Sequence, residues 1–352
     1  MQKIDNIEIK NFKSIRHQKI EGCKRINVFI GPPNVGKSNI LEAISLLTFI
    51  RQKRPLGLLE QIIRFERLSQ LFNFSDIKEE LKISFNNFYS IYLNYSDEES
   101  ISLALRDSRN TDLYSIQNFL AIHVGKGLMR SGQTNGIDDF SGFHQDLQDL
   151  NVKPYKFISG NYYNKNVKYS ALELQVPNGD NLNEVVVQNK ELFGYFSELL
   201  SGYNIKLYND DYIMKLELNN IPTLYPLSLL ADTLIRLIFF KTAIASNKNS
   251  VLLFEEPEAH MYPPYVSKFT SDMIYDDNNN QFFIATHSPN VINDFMENLK
   301  KDDYSIYTVG YDNETGETLI RRMTDDELHE IYQYGVDLFL NLENYLPHAQ
   351  QQ

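Results

Sequence analysis

Hydrophobic positions fall along this chain in two patterns. Near the start, Ile7, Ile9 and Phe12 are interleaved with polar residues, and LKISF (81–85), YSIYLNY (89–95) and SISLALR (100–106) also read as β-strands. Asn86-Asn87 and Ser96-Asp97 separate these last three segments, which predicts an antiparallel meander. In the second pattern the apolar residues run together. RINVFI (25–30), VLLFE (251–255) and QFFIAT (281–286) are short, nearly continuous runs, as expected of strands buried on both faces. Helical spacing follows each of them, in SNILEAISLLTFI (38–50), after Pro263-Pro264 and after Ser288-Pro289. Strands alternating with helices predict parallel pairing.

Between these blocks, RSGQTNGIDDFSG (130–142) reads as a loop and YKFIS (155–159) as a strand. NLNEVVVQNKELFGYFSELLSGY (181–203) predicts one helix of about five to six turns, opening at Asn181 and closing near Gly202. NIKLY (204–208) and IMKLEL (213–218) read as strands, and PLSLLADTLIRLIFFKTAIAS (226–246) as one long helix. The chain closes with a predicted hairpin over 306–323 and a helix over 324–339, whose acidic DDELHE start is a solvated helix N-terminus.

Composition narrows the classes. With 352 residues, 42% of them apolar, the chain can bury one large core or two lobes. Its formal net charge of −12 is opposite to that of a stand-alone nucleic-acid binder. Any DNA contact therefore falls to a partner or to a local patch, for which RQKRP (51–55) with Arg64 and Arg67 is the candidate. Cys23 stands alone, which excludes a disulfide or a zinc pair within the chain. No apolar run approaches the roughly 20 residues of a membrane span, and Asp232, Arg236 and Lys241 interrupt the longest helix. The opening MQKIDNIEIK lacks a signal-peptide pattern. A cytoplasmic protein without membrane association is expected. Neither internal repeats nor coiled-coil heptads are present, which excludes a long-armed architecture.

The first clear chemistry is GPPNVGKS (31–38), a full G-x-x-x-x-G-K-[ST] match lying between a strand and a helix. Gly31 and Gly36 let the backbone fold around a polyphosphate. Amides from Asn34 through Val35, Gly36, Lys37, Ser38 and Asn39 supply donors, reinforced by the helix N-terminus. Lys37 is placed to reach the β and γ phosphates, and Ser38 to offer its hydroxyl to Mg²⁺. Pro32 and Pro33 lack an N–H but stand at the start of the loop, away from the principal donors. The second chemistry is VLLFEEPEAH (251–260), an apolar strand ending in acids. Clustered carboxylates can hold metal in a nuclease, exchange protons in a glycosidase or polarise water beside a nucleotide. Next to a phosphate loop the last use leads, with Glu255 on the Mg²⁺ side and Glu256 as general base.

Taken in order, these segments resemble the nucleotide-binding heads of the ABC-type ATPases, in the branch that contains RecF, SMC heads and OLD-family ATPases. IEIKNFKSI (7–15) is similar to the opening strand of that branch, and GPPNVGKSNILEAI (31–44) to its phosphate loop and first helix. LFEEPEAHMYP (253–263) resembles its Walker B and D-loop, and ATHSP (285–289) its switch-histidine segment. QVPNGDNLNEVV (175–186) is similar to a stretch upstream of its signature helix. The resemblance implies an α/β P-loop NTPase fold, an ABC-ATPase-like head with a mainly parallel core sheet, an antiparallel β subdomain and a helical insertion. Residues 1–50 and 226–310 would form the nucleotide-binding core, 80–106 the meander, 107–225 a variable lobe, and 311–352 the C-terminal hairpin and helix.

The resemblance also implies ATP and Mg²⁺ as cofactors and a homodimer closed as an ATP sandwich. His287 would contact the γ-phosphate and the attacking water, and His260 would lie in the D-loop at the dimer interface. Lys13 and Ser14 resemble residues that approach the nucleotide. Gln61 and Gln70 are both candidates for the Mg²⁺-sensing Q-loop glutamine. The signature departs from the family. PLSLLADTLIRL (226–237) has Ala231 and Asp232 where glycine would allow close backbone approach, leaving Ser228, Asp232, Thr233 and Arg236 as the surface offered in trans. Slow turnover is expected from that change.

Many OLD-family proteins continue into a Toprim nuclease of on the order of 100 residues. Only 63 residues follow ATHSP here, so such a domain is not expected to fit. Three readings follow from the resemblance: an ATP switch that gates a separately encoded effector, as in bacterial defence against phage; a RecF-like DNA-repair clamp; and an ATP-binding scaffold without turnover.

Overall fold

The structure is a computed structural model that describes residues 3–51, 56–96, 100–108, 119–120, 150–159, 172–210, 213–219, 221 and 223–347. The predicted loop at 130–142 and residues 52–55 of the basic stretch lie outside them.

Strands β1 (Asn6–Phe12) and β2 (Ile15–Glu21) form a hairpin, and β3 (Ile26–Ile30) leads through the glycine loop into α1 (Lys37–Ser45). Helix α2 (Leu56–Ile62) precedes β4 (Leu81–Phe85), β5 (Tyr89–Ser96), β6 (Ser100–Asp107) and β7 (Phe119–Leu120). The predicted meander is present, and it joins the first hairpin in a six-stranded antiparallel sheet ordered β2-β1-β4-β5-β6-β7. After β8 (Asn151–Tyr155) come α3 (Leu182–Gln188) and α4 (Lys190–Ser201). A small sheet follows, made of β9 (Ile205–Asp210), β10 (Ile213–Leu218) and β11 (Leu224–Pro226). Then α5 (Asp232–Ala245), β12 (Ser250–Glu255), α6 (Pro263–Ile274), β13 (Gln281–Ala285) and α7 (Pro289–Asn298) alternate. The hairpin β14 (Tyr304–Tyr311) and β15 (Thr318–Arg322) precedes α8 (Asp325–Tyr334).

The second six-stranded sheet runs β15-β14-β3-β13-β12-β8, parallel throughout except for β15. Its continuous apolar runs are buried on both faces, as their lack of alternation predicts. Ile26, Val28 and Ile30 of β3, with Leu252, Phe254, Phe282 and Ile284, pack into the core shared with α5, α6 and α7. Phe29, Val251, Leu253 and Phe283 face the other way, into a core that also takes Ile40, Leu41 and Ile44 of α1 and Ile7, Ile9, Ile83 and Ile91 of the antiparallel sheet. Helix α1 is thus enclosed between the two large sheets. The register sets Glu255 beside Ala285, and Ala285 beside Phe29. The glycine loop, the acids after β12 and the segment after β13 therefore leave from one edge, where ligands of open α/β sheets bind.

Three elements differ from expectation. The predicted helix over 181–203 is two helices, because the Asn189 side chain accepts from Glu191 N (3.0 Å) and Leu192 N (3.1 Å) and starts a new helix instead of continuing the old one. The long helix begins at Asp232 rather than 226, since Leu224–Pro226 pair with β10 and Ala231 is non-helical. The strand expected at 155–159 lies at Asn151–Tyr155. Pro154 is tolerated there because β8 is the sheet's edge.

Candidate active site

The loop between β3 and α1 is shaped by residues that tolerate unusual backbone. Asn34 (φ 64°) and Gly36 (φ 97°) both adopt left-handed conformations. A Cβ on Gly36 would lie 2.1 Å from Thr318 Oγ1, and one on Gly31 would lie 2.2 Å from Val309 O, so both positions need glycine for space, and Gly36 for torsion as well. Thr318 braces the loop by donating from Oγ1 to Val35 O (2.8 Å) and by sharing a hydrogen bond with Ser14 Oγ (2.6 Å). Asn39 donates to the same Ser14 oxygen at 2.7 Å. Ser14 therefore supports the loop from behind. Lys37 is buried, with its ammonium donating to Gly31 O (3.0 Å) and Pro32 O (2.7 Å). Burial pushes it down to about 8, against the pull of Glu256 and Glu255.

Across the edge, Ser38 Oγ donates to Glu255 Oε1. A serine hydroxyl and a carboxylate oxygen in contact are two hard donors. Such a pair suits a divalent cation that takes its other ligands from phosphates and water, as magnesium does. Glu256, the next residue, is exposed and left-handed at φ 43°. Its Oε1 lies 3.4 Å from His287 Nε2. Burial and the Lys37 ammonium push His287 down, Glu256 pulling the other way, so the imidazole is mostly neutral near pH 7. The third acid of the run, Glu258, turns inward. Its Oε1 accepts from Thr286 Oγ1 (2.5 Å) and from the backbone N–H of His287 (3.1 Å), which fixes the histidine's segment. Burial pushes this carboxyl up, opposed by those bonds.

Neither Q-loop candidate reaches Glu255 among the described contacts. Gln61 is exposed on α2, and Gln70 Oε1 accepts from Glu66 N (2.8 Å) and Arg67 N (3.1 Å). The side chain that does reach it is Arg64, whose Nη2 donates to Glu255 Oε1 at 2.6 Å. Arg64 thereby joins this site, while its side chain remains largely exposed. Lys13 is also engaged nearby, donating to Glu42 and, at 2.7 Å, to Arg64 O.

A family model described as "AAA domain, putative AbiEii toxin, Type IV TA system" matches residues 26–293. The chain belongs to this AAA family. An ATP/GTP phosphatase of Helicobacter pylori is 22% identical over 344 residues, covering 87% of this chain and 90% of that protein. The DNA replication and repair protein RecF of Lactobacillus johnsonii is 28% identical over 158 residues, 42% of either chain. Among solved structures, an SMC head bound to the C-winged helix domain of ScpA superimposes with a TM-score of 0.53 at 17% identity, over 94% of this chain and 100% of that one. The Smc head bound to the C-terminal domain of ScpA derived from Pyrococcus furiosus gives 0.51 at 16% identity, over 94% and 98%. These likenesses show the fold of an ABC-type ATPase head, in agreement with the mainly parallel sheet.

In this AAA-family ATPase the start of α5 has its own internal charge balance. Asp232 opens α5 and is paired with Arg236 Nε at 3.0 Å, while the Arg236 guanidinium stacks 4.4 Å from the Phe157 ring centroid. The Asp232 charge at the start of α5 is thus countered one turn along the same helix. Thr233 Oγ1 accepts from Tyr262 N at 3.0 Å, which ties the start of α5 to the segment carrying His260. His260 is exposed at φ 60°, and Ser228 lies in the turn before the helix. Among the described residues, no helix is long and apolar enough to cross a membrane.

Proposed function

We propose that this ATPase is a dimeric switch that hydrolyses ATP slowly and gates a separately encoded effector. The observation that carries the catalytic part is the Glu256–His287 pair, 3.4 Å apart, on the same strand-end rim as the loop holding Lys37. Hydrolysis would begin with a water held between these two side chains. Glu256, exposed on the rim, accepts the water's proton as the oxygen attacks the γ-phosphorus and the bond from that phosphorus to the β–γ bridging oxygen breaks, so that ADP leaves with the bond's electron pair; neutral His287 steadies the water and the γ-phosphate oxygen. Lys37 and the loop amides hold the β and γ phosphates, and Ser38 with Glu255 would hold magnesium. Bound magnesium neutralises charge on the phosphate oxygens. Similarity to an ATP/GTP phosphatase over nearly the whole chain supports turnover. The toxin–antitoxin wording of the family description supports a defence setting with a partner. Ser228, Asp232, Thr233 and Arg236, with His260, would be presented to the nucleotide of a second copy. The Asp232–Arg236 pair supports slow turnover, because Arg236 must divide its charge between Asp232 and a phosphate.

Molecular mass and turnover of the purified chain, with and without ATP and duplex DNA, test this reading. The expected result is a doubling of mass on ATP and weak turnover that DNA leaves unchanged. A monomer in saturating MgATP would sink the dimeric switch, and turnover strongly stimulated by DNA would transfer support to the RecF-like clamp.

A pH dependence follows from Lys37. Only its ammonium form pairs with phosphate, and burial holds it at about 8 before the phosphates arrive. Nucleotide binding should raise that value, so binding takes up a proton near and above it, and affinity falls as pH rises through about 8. Isothermal titration in buffers of different ionisation enthalpy reads the uptake. Binding with no proton linkage in that range would contradict the placement of Lys37 on the phosphates.

A further inference from the structure

Glu255 Oε1 accepts two hydrogen bonds, from Ser38 Oγ and from Arg64 Nη2 (2.6 Å). Both lone-pair directions of that oxygen are then taken. Arg64 is held from several sides. Its Nε donates to Glu42 Oε1 at 3.1 Å and its backbone N to the same oxygen at 3.3 Å, while its carbonyl accepts from Lys13 Nζ at 2.7 Å. Glu42 is only 5% exposed and sits on α1, the helix that begins at the phosphate loop. The Arg64 side chain remains 56% exposed, so it has room to swing away without unpacking a core.

The backbone around Arg64 is fastened to the first hairpin. Lys13 N donates to Leu71 O at 3.0 Å, Asn73 Nδ2 donates to Lys13 O at 2.7 Å, and Phe12 pairs with Phe72. A change at Arg64 therefore reaches residues 62–73 and, through the turn at Lys13, the edge of the antiparallel sheet.

We propose that Arg64 is a positioning residue that competes with the divalent cation for Glu255 Oε1 and reports the cation's arrival to the 62–73 segment. The inference rests on the reading of Ser38 and Glu255 as the metal side. A guanidinium and a divalent cation on one carboxylate oxygen repel each other at close range, so one must yield. When the cation takes Glu255, Arg64 keeps Glu42 but loses its second anchor, and the segment it belongs to loosens.

The experiment is a Mg²⁺ titration at fixed concentration of a fluorescent, slowly hydrolysed ATP analogue, paired with hydrogen–deuterium exchange over residues 62–73. Arg64→Ala should lower the half-saturating Mg²⁺ concentration by about threefold to fivefold, the size expected of a half-exposed ion pair. Arg64→Lys, which keeps the charge, should stay near the parent. In the parent, adding Mg²⁺ to the analogue-bound protein should speed exchange over 62–73. In Arg64→Ala that exchange should be fast before Mg²⁺ is added. An unchanged or higher Mg²⁺ midpoint in Arg64→Ala would overturn the proposal, as would exchange in the parent that ignores Mg²⁺. Glu255→Gln separates the layers. If it shifts the Mg²⁺ midpoint while Arg64→Ala does not, the competition alone fails. If it leaves the midpoint unaltered, the metal-side reading of Glu255 fails, and the competition falls with it.

Discussion

Lys37→Ala should abolish measurable ATP binding while the protein stays folded. The ammonium is buried at the lip of the loop on Gly31 O and Pro32 O, where charge-assisted contacts to phosphate replace contacts to carbonyls at little cost in reorganisation. Removing it leaves phosphate charge in a partly dehydrated loop without its counter-charge, a loss of about 3 kcal/mol or more, which exceeds a hundredfold in affinity. The folded state loses two hydrogen bonds to loop carbonyls but also a charge that was costly to bury, so its stability should change by about 1–2 kcal/mol at most. Equilibrium dialysis with labelled ATP, beside a circular-dichroism melt, reads both quantities. Binding within tenfold of the parent by this dialysis (about 1.4 kcal/mol) would remove Lys37 from the phosphates.

Glu256→Gln separates binding from chemistry. Glutamine has the shape of glutamate and meets the same backbone strain at φ 43°, so the substitution removes the proton acceptor and little else. Turnover should fall by about 10²–10⁴-fold, the usual contribution of a positioned general base. ATP affinity should be retained, and the closed dimer should persist through size-exclusion chromatography in MgATP. Hydrolysis at the unaltered rate would refute the role given to Glu256, and loss of binding would show that the carboxylate holds the nucleotide and not the water.

The parts of the site legible in the sequence are those whose geometry is local. A loop of consecutive residues between a strand and a helix encodes its own shape, and Asn34, Gly36 and Lys37 stand where the pattern sets them. The pairing of Glu256 with His287 was reachable because each follows an apolar strand, and parallel neighbours bring their ends together. Arg64 was not reachable in this way. It lies 191 residues from Glu255, and nothing in its local sequence distinguishes it from an exposed surface charge. The inward turn of Glu258 is likewise not local in origin: it is seen in bonds to Thr286 and His287, which lie 28 and 29 residues on. The break at Asn189 was hidden for a different reason. Apolar periodicity continues through it, and only the capping bonds of one side chain divide the helix. The start of α5 was missed because Leu224–Pro226 belongs to a three-residue edge pairing too short to leave a pattern.

The order of strands in the parallel sheet has a consequence for biosynthesis. Strand β3 lies in the interior, flanked by β13 and β14, and a hydrogen bond such as Asn27 Nδ2 to Phe282 O spans 255 residues. The β1–β2 hairpin and the meander can form from neighbouring sequence as the chain emerges, but among the described residues the strands that pair with β3 are β13 and β14, both made much later. Contacts this distant form slowly, and an unpaired apolar strand is prone to aggregation while it waits. The phosphate loop therefore leaves the ribosome well before the strands that scaffold it. A nascent chain short of residue 281 carries the nucleotide-binding residues without the strand that holds them in place.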